Sequence, residues 1–106
     1  MQISFLYWEE CPSHERALER LRSVMKEEGI EAEVELIEVK TEEQAEELRF
    51  VGSPTIRVDG EDVDPPSHDV YALDCRIYHL EDGRVSPLPS EEMIRGALRD
   101  AKVPNR

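Results

Sequence analysis

The sequence predicts a single α/β domain over residues 1–106, built as a mixed four-stranded sheet in the order β-α-β-α-β-β-α with helices on both faces. Three observations carry that expectation. The chain opens on a run that is apolar on both faces of a strand. An amphipathic helix and a second strand follow it, and further on an Asp59-Gly60 turn folds two short strands into a hairpin. A strand-helix-strand unit requires a right-handed crossover and a parallel pair, whereas the hairpin adds antiparallel strands.

Ile3, Phe5 and Tyr7 alternate with Ser4, Leu6 and Trp8, which predicts a central strand over residues 2–8. Ala17, Leu18, Leu21, Val24 and Met25 then fall on one helical stripe, so a helix is expected from Pro12 to Glu28, stopped by Gly29. Acidic and apolar residues alternate from Glu31 to Val39, the pattern of a half-solvated edge strand whose charges discourage pairing with another chain. Thr41 and Gln44 form a capping-box pattern that opens a short helix, TEEQAEEL, with Ala45 and Leu48 facing inward. Thr55–Val58 reads as a strand and Glu61–Asp64 as its return. Residues 65–88 form an insertion in which Ile77, Tyr78 and Val85 flank Asp82-Gly83 as a second small hairpin. Ser90 caps a last helix with the stripe Met93, Ile94, Ala97, Leu98 and Ala101, ended by Pro104.

Charge narrows the function. Thirteen Lys and Arg stand against 25 Asp and Glu, a formal balance of −12, which repels a nucleic-acid backbone or an anionic membrane. No nucleic-acid or membrane partner is therefore expected. MQISFLYWEE is too short an apolar run for a signal peptide's core, so a cytoplasmic protein is expected. Two cysteines do not make a secreted disulfide framework, and a thiol pair in a reducing compartment is more often catalytic or metal-binding than structural.

Cys11 stands where the first strand gives way to a helix, beside Pro12. Unpaired backbone N–H groups and the dipole at a helix start favour an anion, so a thiol placed there ionises below its ordinary range. His14, three residues on, is a candidate for stabilising that thiolate, although an exposed first-turn histidine can equally be idle; Glu9 and Glu10 oppose ionisation. The plain alternative for Cys11 is a packed, inert thiol. Pro54 restricts Ser53 and either opens a strand in trans or, in cis, aims the Ser53 backbone at Cys11, where a substrate chain would pair with it. Trp8 and Tyr7 pack at the end of the first strand, where a ring rimming the thiol would suit a peptide substrate. Cys75, at the root of the second hairpin, is either packed there or within disulfide reach of Cys11 as its resolving thiol. The acidic run Asp59, Asp62, Asp64 and Asp69 has no calcium-loop spacing and reads as solvated surface.

WEECPSH after a strand, FVGSPTIRVDG entering an antiparallel strand, CRIY and a terminal helix together resemble the thioredoxin and glutaredoxin superfamily. They are most similar to small bacterial thioredoxin-like proteins and selenoproteins, some labelled as related to alkylmercury lyase. The resemblance covers nearly the whole chain apart from residues 65–88, and it implies a nucleophilic Cys11 and a cis bond before Pro54; Trp8, Pro12, Ser53 and Pro54 are the candidate substrate contacts. It departs at one point: His14 holds the position of the usual second cysteine, so no disulfide can form within the motif.

The function these readings imply is thiol–disulfide exchange or peroxide reduction with Cys11 as nucleophile and Cys75 or an external thiol completing the cycle. Its partners would be a protein disulfide, a peroxide or a low-molecular-weight thiol, with no cofactor. Two rivals stand beside it. One is a module that captures a soft metal or organomercurial through Cys11, His14, His68 and Cys75; the other is an interaction domain whose thiols are incidental.

Overall fold

The computed structural model describes residues 1–66 and 70–102. The first five elements are β1 (Ile3–Tyr7), α1 (His14–Glu27), β2 (Val34–Glu38), α2 (Glu42–Leu48) and β3 (Thr55–Val58). Then come β4 (Glu61–Asp62), a separate hairpin of β5 (Tyr78–His79) and β6 (Val85–Ser86), and α3 (Glu91–Lys102). The sheet order is β2-β1-β3-β4. β1 runs parallel to β2, with Phe5 opposite Leu36, and antiparallel to β3, with Phe5 opposite Ile56. The expected α/β architecture with a mixed four-stranded sheet is present.

Side-chain alternation along β1 divides the core into two. Ile3 and Phe5 face α1 and α3, packing with Leu21, Val24, Ile56, Ile94 and Leu98. Leu6 points the other way, onto Val39, Ala45 and Phe50, so α2 covers the second face. Each large side chain taken fully out of water contributes roughly 1.5–3 kcal/mol.

Both early helices end by the same device, one with the expected residue and one without. At α1, Gly29 (φ 68°) reverses the chain, its N–H donating to Lys26 and that of Ile30 to Met25. At α2, Arg49 occupies the left-handed region (φ 55°), with Arg49 N–H on Glu46 and Phe50 N–H on Ala45. The reversal turns Phe50 into the core, and the strain at a non-glycine residue is offset by that burial. The N-terminus of α2 follows the capping pattern, with Gln44 N–H donating to Thr41 Oγ1 at 3.0 Å and Lys40 N–H to Gln44 Oε1 at 2.9 Å. Ser90 Oγ accepts from Met93 N–H at 3.1 Å and so caps α3. α3 is zipped to the end of α1 by a forked pair from Arg99 to Glu28, at 2.9 and 3.1 Å, and by Arg95 on Glu27 at 3.0 Å.

Three boundaries move. α1 begins at His14, because Pro12 and Ser13 belong to the turn before it. β2 is shorter than Glu31–Val39, and Leu36 on it is half exposed, because β2 is the sheet edge. The return strand stops at Asp62, whose carboxylate accepts the Asp64 N–H at 2.8 Å and turns the chain away. Pro104 and the end of the chain lie outside the described residues, as do His68 and Asp69. Among the described residues no helix is long and apolar enough to cross a membrane.

Candidate functional site

The site lies at the end of β1 where Tyr7 leaves the sheet. Trp8 to Cys11 form a tight turn closed by the Cys11 N–H on the Trp8 carbonyl at 3.0 Å, with Glu9 and Glu10 exposed at its tip. The turn is pinned from the segment that leads into β3, because the Trp8 N–H donates to Ser53 Oγ at 3.0 Å. Cys11 therefore points inward and has no accessible surface.

Its sulfur is nonetheless surrounded by polar groups. Ser13 Oγ lies 3.3 Å from Sγ, and in the thiol form Sγ donates to the Ser53 carbonyl at 3.4 Å. Ser13 is the N-cap residue of α1, yet its side chain makes no capping bond to the helix. The hydroxyl that usually caps a helix serves the sulfur instead. Burial favours the neutral thiol, but hydrogen bonds from the Ser13 hydroxyl and backbone, then from the Cys75 thiol and Ser53, outweigh it. The Cys11 pKa is lowered as a result.

Cys75 arrives from the insertion. Residues 74–76 lie alongside Ser53 as a single parallel bridge, with Ser53 N–H donating to the Asp74 carbonyl and Arg76 N–H to the Ser53 carbonyl, both at 2.8 Å. The bridge brings residue 75 into the neighbourhood of the buried sulfur, near enough that each thiol shifts the other's titration. Hydrogen bonding to Cys11, partial burial, and the charges of Cys11 and Asp74 push the Cys75 thiol up to about 11. Cys75 is exposed while Cys11 is buried.

Arg76 holds this segment in place. Its guanidinium forms a fork with the Asp62 carboxylate at 2.7 and 3.1 Å, reaches the Asp64 carbonyl at 2.5 Å, and lies 4.3 Å above the Tyr78 ring. Tyr78 donates its hydroxyl to the Pro54 carbonyl at 2.5 Å and is wholly buried, which raises its phenol pKa. Gly52 admits the segment: at φ 131° it takes a conformation that side chains rarely adopt, and a Cβ there would stand 2.9 Å from Arg76 Cβ.

The residues expected at the site divide as follows. Cys11, Cys75 and Ser53 come together, and the Ser53–Pro54 peptide bond is cis. Ser53 does aim its backbone into the site, but both pairing groups meet the chain's own residues 74 and 76 where an outside chain was expected. His14 lies apart, its ring stacked on Tyr7 with centroids 4.8 Å apart and its Nε2 3.9 Å from the Glu9 carboxylate. Among the described residues, no hydrogen bond to the Cys11 sulfur comes from that imidazole. Trp8 contributes backbone to the site and packs its partly buried side chain on the α2 side of the core, and Pro12 is exposed. Ser13, Gly52, Arg76 and Tyr78 were not singled out from the sequence. The only signal for Arg76 was its place beside Cys75, downstream of the acidic run from which Asp62 pairs with it.

The described residues contain no group of three His, Cys, Asp or Glu side chains placed to hold a metal ion, and His68 lies outside them. Comparison with protein-family models, with curated proteins and with solved structures returns no match for this chain.

Proposed function

We propose that this protein is a thiol–disulfide oxidoreductase of thioredoxin-like fold in which Cys11 and Cys75 interconvert between a dithiol and a disulfide. The observation that carries the reading is the Ser53–Cys75 bridge, which sets residue 75 of the insertion beside the residue whose carbonyl accepts from the buried Cys11 sulfur. The sheet order β2-β1-β3-β4, with one parallel and two antiparallel pairings, is the topology expected of that fold. A second thiol is what the motif itself lacks, since His14 stands where a cysteine would resolve a mixed disulfide.

The electrostatics support exchange over inert packing. A hydrogen-bonded thiolate at Cys11 is a good leaving group when the disulfide is reduced. Each cycle moves two electrons between an outside disulfide, or a peroxide, and the pair.

Treating the reduced protein with one equivalent of diamide and mapping its peptides tests the reading. The expected product has lost two hydrogens and carries a Cys11–Cys75 linkage. A product with both cysteines still free, or joined only between molecules, would overturn the pairing.

A further inference from the structure

Resting on that reading, we infer that Cys75, not Cys11, is the sulfur that meets the outside substrate, and that Cys11 is the internal thiol that closes the disulfide. Three observations converge on this order. Cys11 has no accessible surface, and its surroundings are closed by Ser13, Ser53 and the segment carrying Cys75. The Ser53 backbone, the place where an approaching chain would dock beside Cys11, is already fully used by Asp74 and Arg76. Cys75 is exposed and opens on a groove of about 530 Å³ whose walls include Val51, Pro65, Pro66, Val70 and Ile77.

The chemistry fits the geometry. Cys75 Sγ attacks an outside disulfide R–S–S–R′ while its proton passes to the neighbouring Cys11 thiolate, so the anionic sulfur acts as a base without leaving its pocket. A Cys75–S–S–R bond forms, the S–S bond of the substrate breaks, and R′ leaves as a thiolate that takes the proton back from Cys11. The Cys11 thiolate then attacks Cys75 Sγ and expels RS⁻. One outside disulfide has been reduced by two electrons to two thiols, and the cysteine pair has been oxidised to a disulfide. Run backwards, an external thiolate attacks the accessible sulfur, Cys75, and Cys11 departs as the stabilised thiolate.

The groove limits what can serve as R. Its proline and aliphatic side chains share the lining with Asp64, Asp74, His79 and Arg76, and because the Arg76 charge is taken up by Asp62, the groove favours a neutral or cationic thiol or disulfide over an anionic one.

The test uses 2,2′-dipyridyl disulfide, a small neutral probe, on the folded Cys11→Ser and Cys75→Ser proteins at neutral pH. Cys11→Ser is expected to accumulate a stable adduct on Cys75, with no second thiol to release it. Cys75→Ser is expected to react on the order of tenfold or more slowly until denaturant opens the structure. Equal or faster reaction of folded Cys75→Ser would overturn the assignment. Should either variant fail to fold, wild-type protein treated with substoichiometric N-ethylmaleimide and peptide-mapped decides the matter: label first on Cys75 supports the order, and label first on Cys11 overturns it. Failure here differs from failure of the pairing, because a diamide-formed Cys11–Cys75 bond together with labelling first on Cys11 would leave the oxidoreductase standing with its order reversed.

Discussion

Cys11 and Cys75 reach the same place by different physical routes. Cys11 is positioned locally, by a strand that ends two residues after Phe5 enters the core, a four-residue turn and a helix that starts at His14. Cys75 belongs to no named strand or helix, and its position depends on the bridge to Ser53, on the Ala72 and Leu73 N–H groups bonded to the Phe50 carbonyl and the Glu42 carboxylate, and on one buried guanidinium. The first arrangement resists almost any single surface change; the second depends on a few contacts made across the fold. A site built this way has one fixed sulfur and one that a single substitution can displace.

Arg76→Ala is expected to have the largest effect on that contrast. Arg76 and Asp62 are both nearly buried, and removing the cation leaves the carboxylate without its partner, at a cost of about 3–5 kcal/mol. Denaturant unfolding reads the loss, and diamide should no longer close the Cys11–Cys75 bond efficiently while the sheet and helices persist by circular dichroism. Retention of wild-type stability and of disulfide yield would show that Arg76 does not hold the segment.

Gly52→Ala perturbs the same contact from the opposite side. The new methyl meets Arg76 Cβ at 2.9 Å, and the backbone stands at φ 131°, so a loss of about 1–3 kcal/mol is expected with weaker pairing of residues 74–76. Hydrogen exchange at the Arg76 amide, which donates to Ser53, measures that pairing directly. An unchanged exchange rate would contradict the role given to Gly52.

The smallest expected effect sharpens the Cys11 side. The Cys11 thiol is lowered in the folded protein, so the stability it contributes is fully present above the unfolded thiol pKa of about 8.5 and is lost as pH falls through the folded value. Cys75 acts in the other direction: raised to about 11, it contributes stability below the unfolded value that disappears as pH rises through 11. Wild-type stability should thus rise toward the ordinary thiol range and fall beyond it. Ser13→Ala should flatten the rising limb and move the alkylation midpoint of Cys11 upward, with little change in α1 because Ser13 does not cap it. Alkylation rates and denaturation midpoints against pH check both limbs; an unchanged rising limb would remove Ser13 from the thiolate's support.

Much of the fold was legible in residue order because the relevant forces act over short sequence distances. The two-faced apolar run of β1, the stripe of α1, the Thr41–Gln44 cap and the two Asp-Gly turns each depend on neighbours within a few residues. Where periodicity misjudged an extent, contacts it does not encode intervened: β2 shortened at the sheet edge, and at the end of β4 the Asp62 carboxylate accepts the Asp64 N–H while pairing with Arg76. His14 shows the same limit. Its spacing from Cys11 suited a thiolate partner, but Tyr7 offered the ring a flat surface to stack on, and that contact turned it aside.

Residue order by itself determined that a cysteine would stand between the first strand and the first helix, because alternation and helical periodicity are short-range patterns. Tertiary structure alone decided that this cysteine is buried, that Ser13 serves the sulfur rather than the helix, and that residue 75 fills the space beside Ser53. The placing of residue 75 turns on a guanidinium meeting a carboxylate 14 residues away and a backbone carbonyl 12 away, with a glycine making room for it, and pairings across such distances leave no periodic trace in the chain.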